Sequence, residues 1–251
     1  MVPCVDMANH ASGDQTTALY EADGSGNGLL LLREGKNVDK GEEVTITYGD
    51  EKGACEMLFS YGFLEDGLDS ARDIFLDLEP QEDDPLGRAK RAVSSSAPGV
   101  RLFESSEGLR WESDYLWLIC VNEEDGLHIR VAQTVDDGQE LSLSWRDQQL
   151  ESETHLKSML QGEKLWDLYQ VRAVALLQDR IGSQLSTMYS NKLANNEAEM
   201  SEDVREQPRL LATKLLRLES SLLDRFYEYF EGEVRHDMNP SDLSHYADAM
   251  M

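Results

Sequence analysis

PCVDMANH at residues 3–10, GEEVTITYG at residues 41–49 and LFSYGFL at residues 58–64 are the stretches that decide the fold of this chain. In the second stretch, valine, isoleucine and tyrosine alternate with threonine, which is the period of a half-buried strand. In the third, apolar residues recur at roughly helical spacing and are followed by Gly62, which predicts a short helix that ends before that glycine. Residues 1–66 are therefore predicted to contain short strands, turns and one short helix.

These motifs, in this order, resemble the closing half of a SET domain, the fold of many protein lysine methyltransferases. The resemblance is to the branch that contains the Rubisco large-subunit methyltransferase. It implies an α+β fold, with a partial SET β-fold of short strands and a pseudoknot over residues 1–66. Family members carry a long segment and a glycine motif before Asn9-His10. We therefore expect the N-terminal part of the SET domain to be missing from this sequence, which would make it a truncated form.

The resemblance implies that S-adenosylmethionine is the cofactor. Asn9 and His10 would contact its adenosyl part, and Phe63 would pack against the adenine ring. Taken alone, an Asn-His pair more often lies in a turn or in a core. Asp6 and His10 make a poor metal site because no further clustered ligand accompanies them, so we expect no metal.

The same resemblance implies that Tyr48 is the catalytic tyrosine. Tyr61 would shape the channel that admits the substrate lysine, and Tyr20 lies near the position of a further channel tyrosine. A tyrosine at the end of a strand is otherwise most often a core or rim aromatic with its hydroxyl in solvent. Methyl transfer to an amine needs positioning in an aromatic-lined site rather than an acid or a metal.

The glycine-rich stretch GSGNG at residues 24–28 could suggest a phosphate-binding loop. Such a loop follows an apolar strand and opens a helix. This stretch instead separates two segments of apolar residues, which favours a hairpin turn.

Beyond residue 66 the sequence changes character. Residues 67–100 are predicted to be a linker, and residues 101–251 a mostly helical domain that resembles a substrate-binding domain. The apolar run at 115–121 fits either a buried strand or a helical turn. Two long amphipathic helices are predicted from about residue 151, joined by the polar segment 191–206 and with the second ending near Gly232.

Charge and cysteine content limit the partners and the compartment. The net charge is −26, from 49 acidic and 23 basic residues, which disfavours direct nucleic-acid binding and favours a basic protein partner. The acidity could equally serve only to maintain solubility. Three separated cysteines argue against a disulfide framework, so a cytoplasmic or nuclear location is expected. No apolar run is long enough for a membrane span.

Two hypotheses follow. In the first, the chain belongs to an S-adenosylmethionine-dependent protein-lysine N-methyltransferase that acts on a lysine-containing, basic protein. In the second, it is a catalytically inactive SET fragment that serves as a protein-binding module for basic partners. The sequence does not indicate an oligomeric state.

Overall fold

The computed structural model describes residues 5–133, 139–197 and 205–237. The chain divides into two compact units, Met1–Leu68 and Asp69–Met251. Short strands dominate the first unit and long helices end the second, so the predicted α+β class is confirmed.

The first unit contains a small parallel strand pair. Strands β1 (Asn9–His10) and β4 (Thr45–Ile46) lie side by side, with Asn9 opposite Thr45 and His10 opposite Ile46. Only these two residues of the strand predicted over 44–48 are in a regular ladder. The pairing brings the Asn-His motif beside the residues that lead into Tyr48.

An antiparallel hairpin joins strands β2 (Ala18–Ala22) and β3 (Gly28–Leu32). Its turn is held by the Asp23 carboxylate, which accepts hydrogen bonds from the backbone N–H groups of Ser25 and Asn27 at 2.9 and 2.8 Å. The glycine-rich stretch is therefore a hairpin turn, as its position between apolar segments predicts.

Both faces of this hairpin carry exposed apolar side chains. Tyr20 lies opposite Leu30 on one face, and Leu19 opposite Leu31 on the other. All four side chains are exposed in this unit.

Helix α1 (Ala54–Tyr61) ends where the sequence predicts. Gly62 follows with φ +82°, a left-handed conformation that a side chain would disfavour, and its N–H donates to Leu58 O at 2.9 Å. The chain reverses here, and Phe63 comes directly after the reversal.

The second unit contains two three-stranded antiparallel sheets. The first joins β5 (Asp73–Asp77), β6 (Gly99–Ser105) and β7 (Gly108–Glu112) in that order. The second has β8 (Leu127–Gln133), β9 (Gln139–Trp145) and β10 (Gln148–Leu150), with β9 in the middle.

The stretch predicted as a linker, 67–100, is folded instead. It contains β5, helix α2 (Gly87–Val93) and the start of β6. A buried lysine on α2 anchors this stretch: Lys90 is only 1% exposed and donates to Asp84 at 2.6 Å and to Val121 O at 2.7 Å. The composition of the segment gives no sign of this tertiary pairing.

The remaining helices complete the second unit. They are α3 (Tyr115–Ile119), α4 (Glu153–Gln161), α5 (Trp166–Glu197) and α6 (Glu206–Asp237). The ambiguous run at 115–121 is thus a buried helical turn. Helix α6 continues past Gly232, beyond its predicted end.

Helices α5 and α6 pack antiparallel. Tyr189 donates its hydroxyl proton to Asp224 at 2.9 Å, while the backbone of Gly182 faces the ring of Tyr227. From the first pair to the second, the residue number falls along α5 and rises along α6, so the two helices are antiparallel. Within the described ranges, no helix combines the length and apolar character needed to cross a membrane.

A buried carboxylate ties α4 to the loop after α2. Glu153 is 1% exposed and accepts hydrogen bonds from Ser94 Oγ at 2.9 Å and from the N–H groups of Ser95 and Ser96 at 3.0 and 2.7 Å. Burial alone would raise the pKa of Glu153, but these donors outweigh it and lower the pKa to about 2.

Candidate functional site

Tyr48 is held at both ends by the segment that carries the Asn-His motif. Its backbone N–H donates to His10 Nδ1 at 3.0 Å. Its hydroxyl donates to the backbone carbonyl of Ala8 at 2.9 Å. The parallel pairing of β1 with β4 supplies the alignment that makes both bonds possible. The predicted catalytic tyrosine and the predicted cofactor-binding histidine are therefore direct neighbours.

The second nitrogen of His10 faces a carboxylate. His10 Nε2 lies 2.7 Å from Glu65 Oε1 and 3.2 Å from Ser12 Oγ. The side chains of His10 and Glu65 are only 4% and 5% exposed. Sequence reasoning missed Glu65, because an acidic residue in a chain with 49 of them carries no periodic or motif signal of its own.

Four rings cluster around these bonds. The ring of Tyr48 lies 4.6 Å from that of Tyr61 and 5.2 Å from that of His10, between centroids. Phe63 lies 5.6 Å from His10, 6.4 Å from Tyr48 and 6.5 Å from Tyr61. We call His10, Tyr48, Tyr61 and Phe63 the ring cluster. The left-handed turn at Gly62 places both Tyr61 and Phe63 in it.

Two predicted site residues lie outside the ring cluster. Asn9 is exposed, and its side-chain amide donates to the carboxylate of Glu43. Tyr20 is 47% exposed on β2 and, within the described part of the chain, has no ring contact with the cluster. The structure thus brings His10, Tyr48, Tyr61 and Phe63 together and leaves Tyr20 on the apolar hairpin.

A cation borders the cluster on the Tyr61 side. Lys52 Nζ lies 5.6 Å from the centroid of the Tyr61 ring and is paired with Glu56. That hydrogen bond first, and the negative charge of Glu56 after it, raises the pKa of Lys52. Lys52 therefore stays charged, and it is suited to packing on the ring rather than to accepting a proton.

The second unit contains a cavity of about 570 Å³ whose lining includes Lys90 and Arg172. Both cations are already paired, Lys90 with Asp84 at 2.6 Å and Arg172 with Asp125 at 2.8 Å. They also donate to the carbonyls of Val121 and Cys120, just past the end of α3. This arrangement is that of a helix terminus tied down by cations. In the described ranges, no three histidine, cysteine or acidic side chains are grouped so that they could hold a metal ion.

The sequence is similar to that of a SET-domain protein. The chain is 30% identical over 246 residues to SET domain-containing protein 8 of Schizosaccharomyces pombe. The match covers 93% of this chain and 52% of that protein. No family model matches the chain.

The chain is also similar in fold to solved structures of LSMT. The chain is similar to Rubisco LSMT bound to sinefungin and monomethyllysine, with a TM-score of 0.52 and 18% identity. It is also similar to the SET domain of LSMT bound to lysine and AdoHcy, with a TM-score of 0.53 and 19% identity. Each match covers 95% of this chain and 51% of the other. The chain therefore has the SET fold of LSMT and is related in sequence to a SET-domain protein, and it spans about half the length of the relatives that it matches.

Proposed function

We propose that this chain takes part in the S-adenosylmethionine-dependent methylation of a lysine on a protein, and that the ring cluster is its contribution to the active site. The observation that carries the proposal is the double attachment of Tyr48 to the Ala8–His10 segment, through Nδ1 of His10 and the carbonyl of Ala8. The sequence similarity to a SET-domain protein and the shared LSMT fold support it.

The residues present fit an adenosyl group. Phe63 is half-buried and lies beside the His10 ring, so it offers a flat apolar surface on which an adenine can stack. Asn9 is exposed at the start of β1, the strand that also carries His10, and can supply backbone and amide groups to the ligand. One similar LSMT structure is bound to AdoMet and another to AdoHcy. When bound, S-adenosylmethionine supplies the electrophilic methyl group.

Tyr48 and Tyr61 are suited to receive the lysine. Their rings, 4.6 Å apart, provide an aromatic surface along which the lysine side chain can pack, and loss of water around the buried amine would favour its neutral form. Because the Tyr48 hydroxyl proton is given to Ala8 O, the phenolic oxygen presents lone pairs to the substrate. Those lone pairs can orient the amine and accept weak C–H···O contacts from a polarised methyl group. In the transfer, the amine nitrogen bonds to the methyl carbon while the carbon–sulfur pair returns to sulfur, and the extra proton leaves to water.

The proposal extends to the partner protein. The net charge of −26 favours a basic substrate protein, since opposite charge speeds encounter. A cytoplasmic or nuclear location would suit the buried thiol of Cys120.

Calorimetric titration with S-adenosylhomocysteine tests the proposal. We expect saturable binding by the chain and its loss in Phe63→Ala, which removes the stacking surface. Phe75→Ala is the matched control, because Phe75 is 49% exposed on β5 in the second unit. A folded chain that binds no S-adenosylhomocysteine, or a Phe63→Ala variant that binds as well as the wild type, would overturn the proposed cofactor role. Absence of binding by a folded chain would favour the second hypothesis, that of a catalytically inactive module that binds basic proteins.

A further inference from the structure

We propose that Glu65 is a positioning residue of this site: its buried carboxylate selects one tautomer of His10, which in turn holds the backbone of Tyr48. This inference rests on the proposed function, because it assigns a role within the same site. Glu65 acts through His10 and is not itself placed against the reacting groups.

The hydrogen-bond partners determine the tautomer. His10 Nδ1 receives the backbone N–H of Tyr48 at 3.0 Å, so Nδ1 must carry a lone pair. In a neutral ring the proton then resides on Nε2, where it points at Glu65 Oε1, 2.7 Å away. A carboxylate is an acceptor only, so it stabilises this tautomer and disfavours the one with a bare Nε2.

The alternative tautomer would break the site. A proton on Nδ1 would face the N–H of Tyr48, and two donors would meet where one bond now exists. Tyr48 would then be held to the Ala8–His10 segment through its hydroxyl alone. Because positioning can supply much of the barrier reduction in methyl transfer, a looser Tyr48 would weaken the site without removing any group that touches the substrate.

Burial makes the choice of acceptor decisive. The two side chains are 4% and 5% exposed, so little solvent is available to replace a lost bond. Ser12 Oγ lies 3.2 Å from the same nitrogen, but a hydroxyl can donate as well as accept and so does not discriminate between tautomers. Of the two groups that face Nε2, only the carboxylate requires a proton on that nitrogen.

Glu65 also connects two segments of the first unit through its bond to His10. It follows α1, the turn at Gly62 and Phe63, while its partner lies on β1. The pair therefore joins the segment that carries Tyr61 and Phe63 to the segment that carries His10. One buried bond sets both the tautomer and the spacing within the ring cluster.

Nuclear magnetic resonance of the whole chain tests this role. Two-bond ¹H–¹⁵N spectra of the imidazole rings report the tautomer of each of the five histidines, and the His10 signal is assigned from its loss in His10→Asn. In Glu65→Leu we expect the Nε2–H signature of His10 to be lost and the Tyr48 amide to exchange about tenfold faster. In Glu65→Gln, whose amide oxygen can still accept, we expect the tautomer to be kept and the exchange rate to stay within about threefold of wild type.

Glu34→Gln is the matched control, because it removes an exposed carboxylate from the same unit. We expect it to change neither readout. A Glu65→Leu variant that keeps the wild-type tautomer and Tyr48 exchange rate would overturn the inference. If that variant does not fold, Glu65→Gln decides: an upfield shift of the His10 Nε2–H proton supports a carboxylate bond, and an unchanged resonance contradicts it.

A titration of the same variants with S-adenosylhomocysteine separates this inference from the proposed function. Weaker binding in Glu65→Leu and near-normal binding in Glu65→Gln would support both. If the wild type binds no S-adenosylhomocysteine but the His10 tautomer still depends on Glu65, the cofactor assignment fails and the coupling of Glu65 to His10 stands. If the wild type binds and the tautomer does not respond to Glu65, the positioning role fails alone.

Discussion

The two units stabilise their structures in different ways. In the first, the buried apolar side chains are mostly small, such as Ala8, Ala18 and Ala54, and the leucines of the β2–β3 hairpin are exposed. In the second, large rings and leucines are fully buried, among them Trp145, Phe226 and Leu222. The first unit therefore depends strongly on a few hydrogen bonds around His10, while the second depends on buried apolar area.

The difference between the two units in how they are stabilised bears on function. A site that must orient an amine and a methyl group benefits from directional bonds, which fix angles as well as distances. A large apolar core gives stability but little angular control over an exposed group. We therefore expect the same kind of substitution to have different consequences in the two units.

The largest loss of stability is expected where a substitution opens a new cavity in the buried core of the second unit. Leu222 is fully buried on α6, so Leu222→Ala should lower the free energy of unfolding by about 2–5 kcal/mol. Leu210→Ala, on the same helix but 53% exposed, should cost less than about 0.5 kcal/mol. Urea unfolding followed by tryptophan fluorescence measures this, because all four tryptophans lie in the second unit. Equal effects of the two substitutions would contradict the idea of an apolar core there.

The buried carboxylate of Glu153 is a polar anchor in the unit that otherwise depends on apolar burial. Its folded pKa of about 2 lies below the ordinary value of 4.5, so its stabilisation is fully present above about pH 4.5 and is lost as the pH falls toward 2. Glu153→Gln should therefore cost roughly 3 kcal/mol at pH 7 and almost nothing near pH 2. Unfolding of wild type and variant at both pH values checks this. A difference that does not shrink with acid would show that charge is not the cause.

Removing the Tyr48 hydroxyl tests the polar unit. Tyr48→Phe leaves the carbonyl of Ala8, a residue only 8% exposed, without its donor and should destabilise the β1–β4 pairing by about 1–2 kcal/mol. Hydrogen exchange at residues 9–10 and 45–46 reports the change. Tyr20→Phe is the control and should alter exchange little, because the Tyr20 side chain is 47% exposed. Similar exchange in Tyr48→Phe and wild type would mean that the hydroxyl bond contributes nothing.

The smallest expected effect concerns the reactivity of the cysteine thiols. Burial raises the pKa of Cys120 to about 12, so its thiol should not react with a thiol reagent in the folded chain at pH 7–8, whereas Cys55 is exposed. In a Cys4→Ser background we expect Cys55 to be labelled first and Cys120 only after unfolding. Mass spectrometry of peptides after a short labelling pulse measures this order. Early labelling of Cys120 would show that the second unit is more open than its burial indicates.

Local signals in the sequence predicted the elements near the site well. The helix over 54–61, its end at Gly62 and the hairpin turn at 24–28 each follow from short-range spacing and glycine placement. The ordered motifs also indicated the fold, and four of the predicted residues, His10, Tyr48, Tyr61 and Phe63, do lie together. The assigned roles of these residues remain predictions.

Other features could not be predicted because they depend on distant partners. The segment 67–100 folds through pairing of β5 with β6 and through the buried Lys90, neither of which leaves a local signal. Glu65 is indistinguishable by composition from the other acidic residues until the fold places it against His10. Long-range hydrogen bonds of this kind are specified by geometry rather than by pattern.

Chemical-shift mapping with S-adenosylhomocysteine tests whether the ring cluster of the first unit is the cofactor and lysine site. We expect the shifts to concentrate on Asn9, His10, Tyr48 and Phe63, and the cavity residues Lys90 and Arg172 of the second unit to stay unchanged. Shifts centred on Lys90 and Arg172, with none at His10 and Phe63, would contradict it.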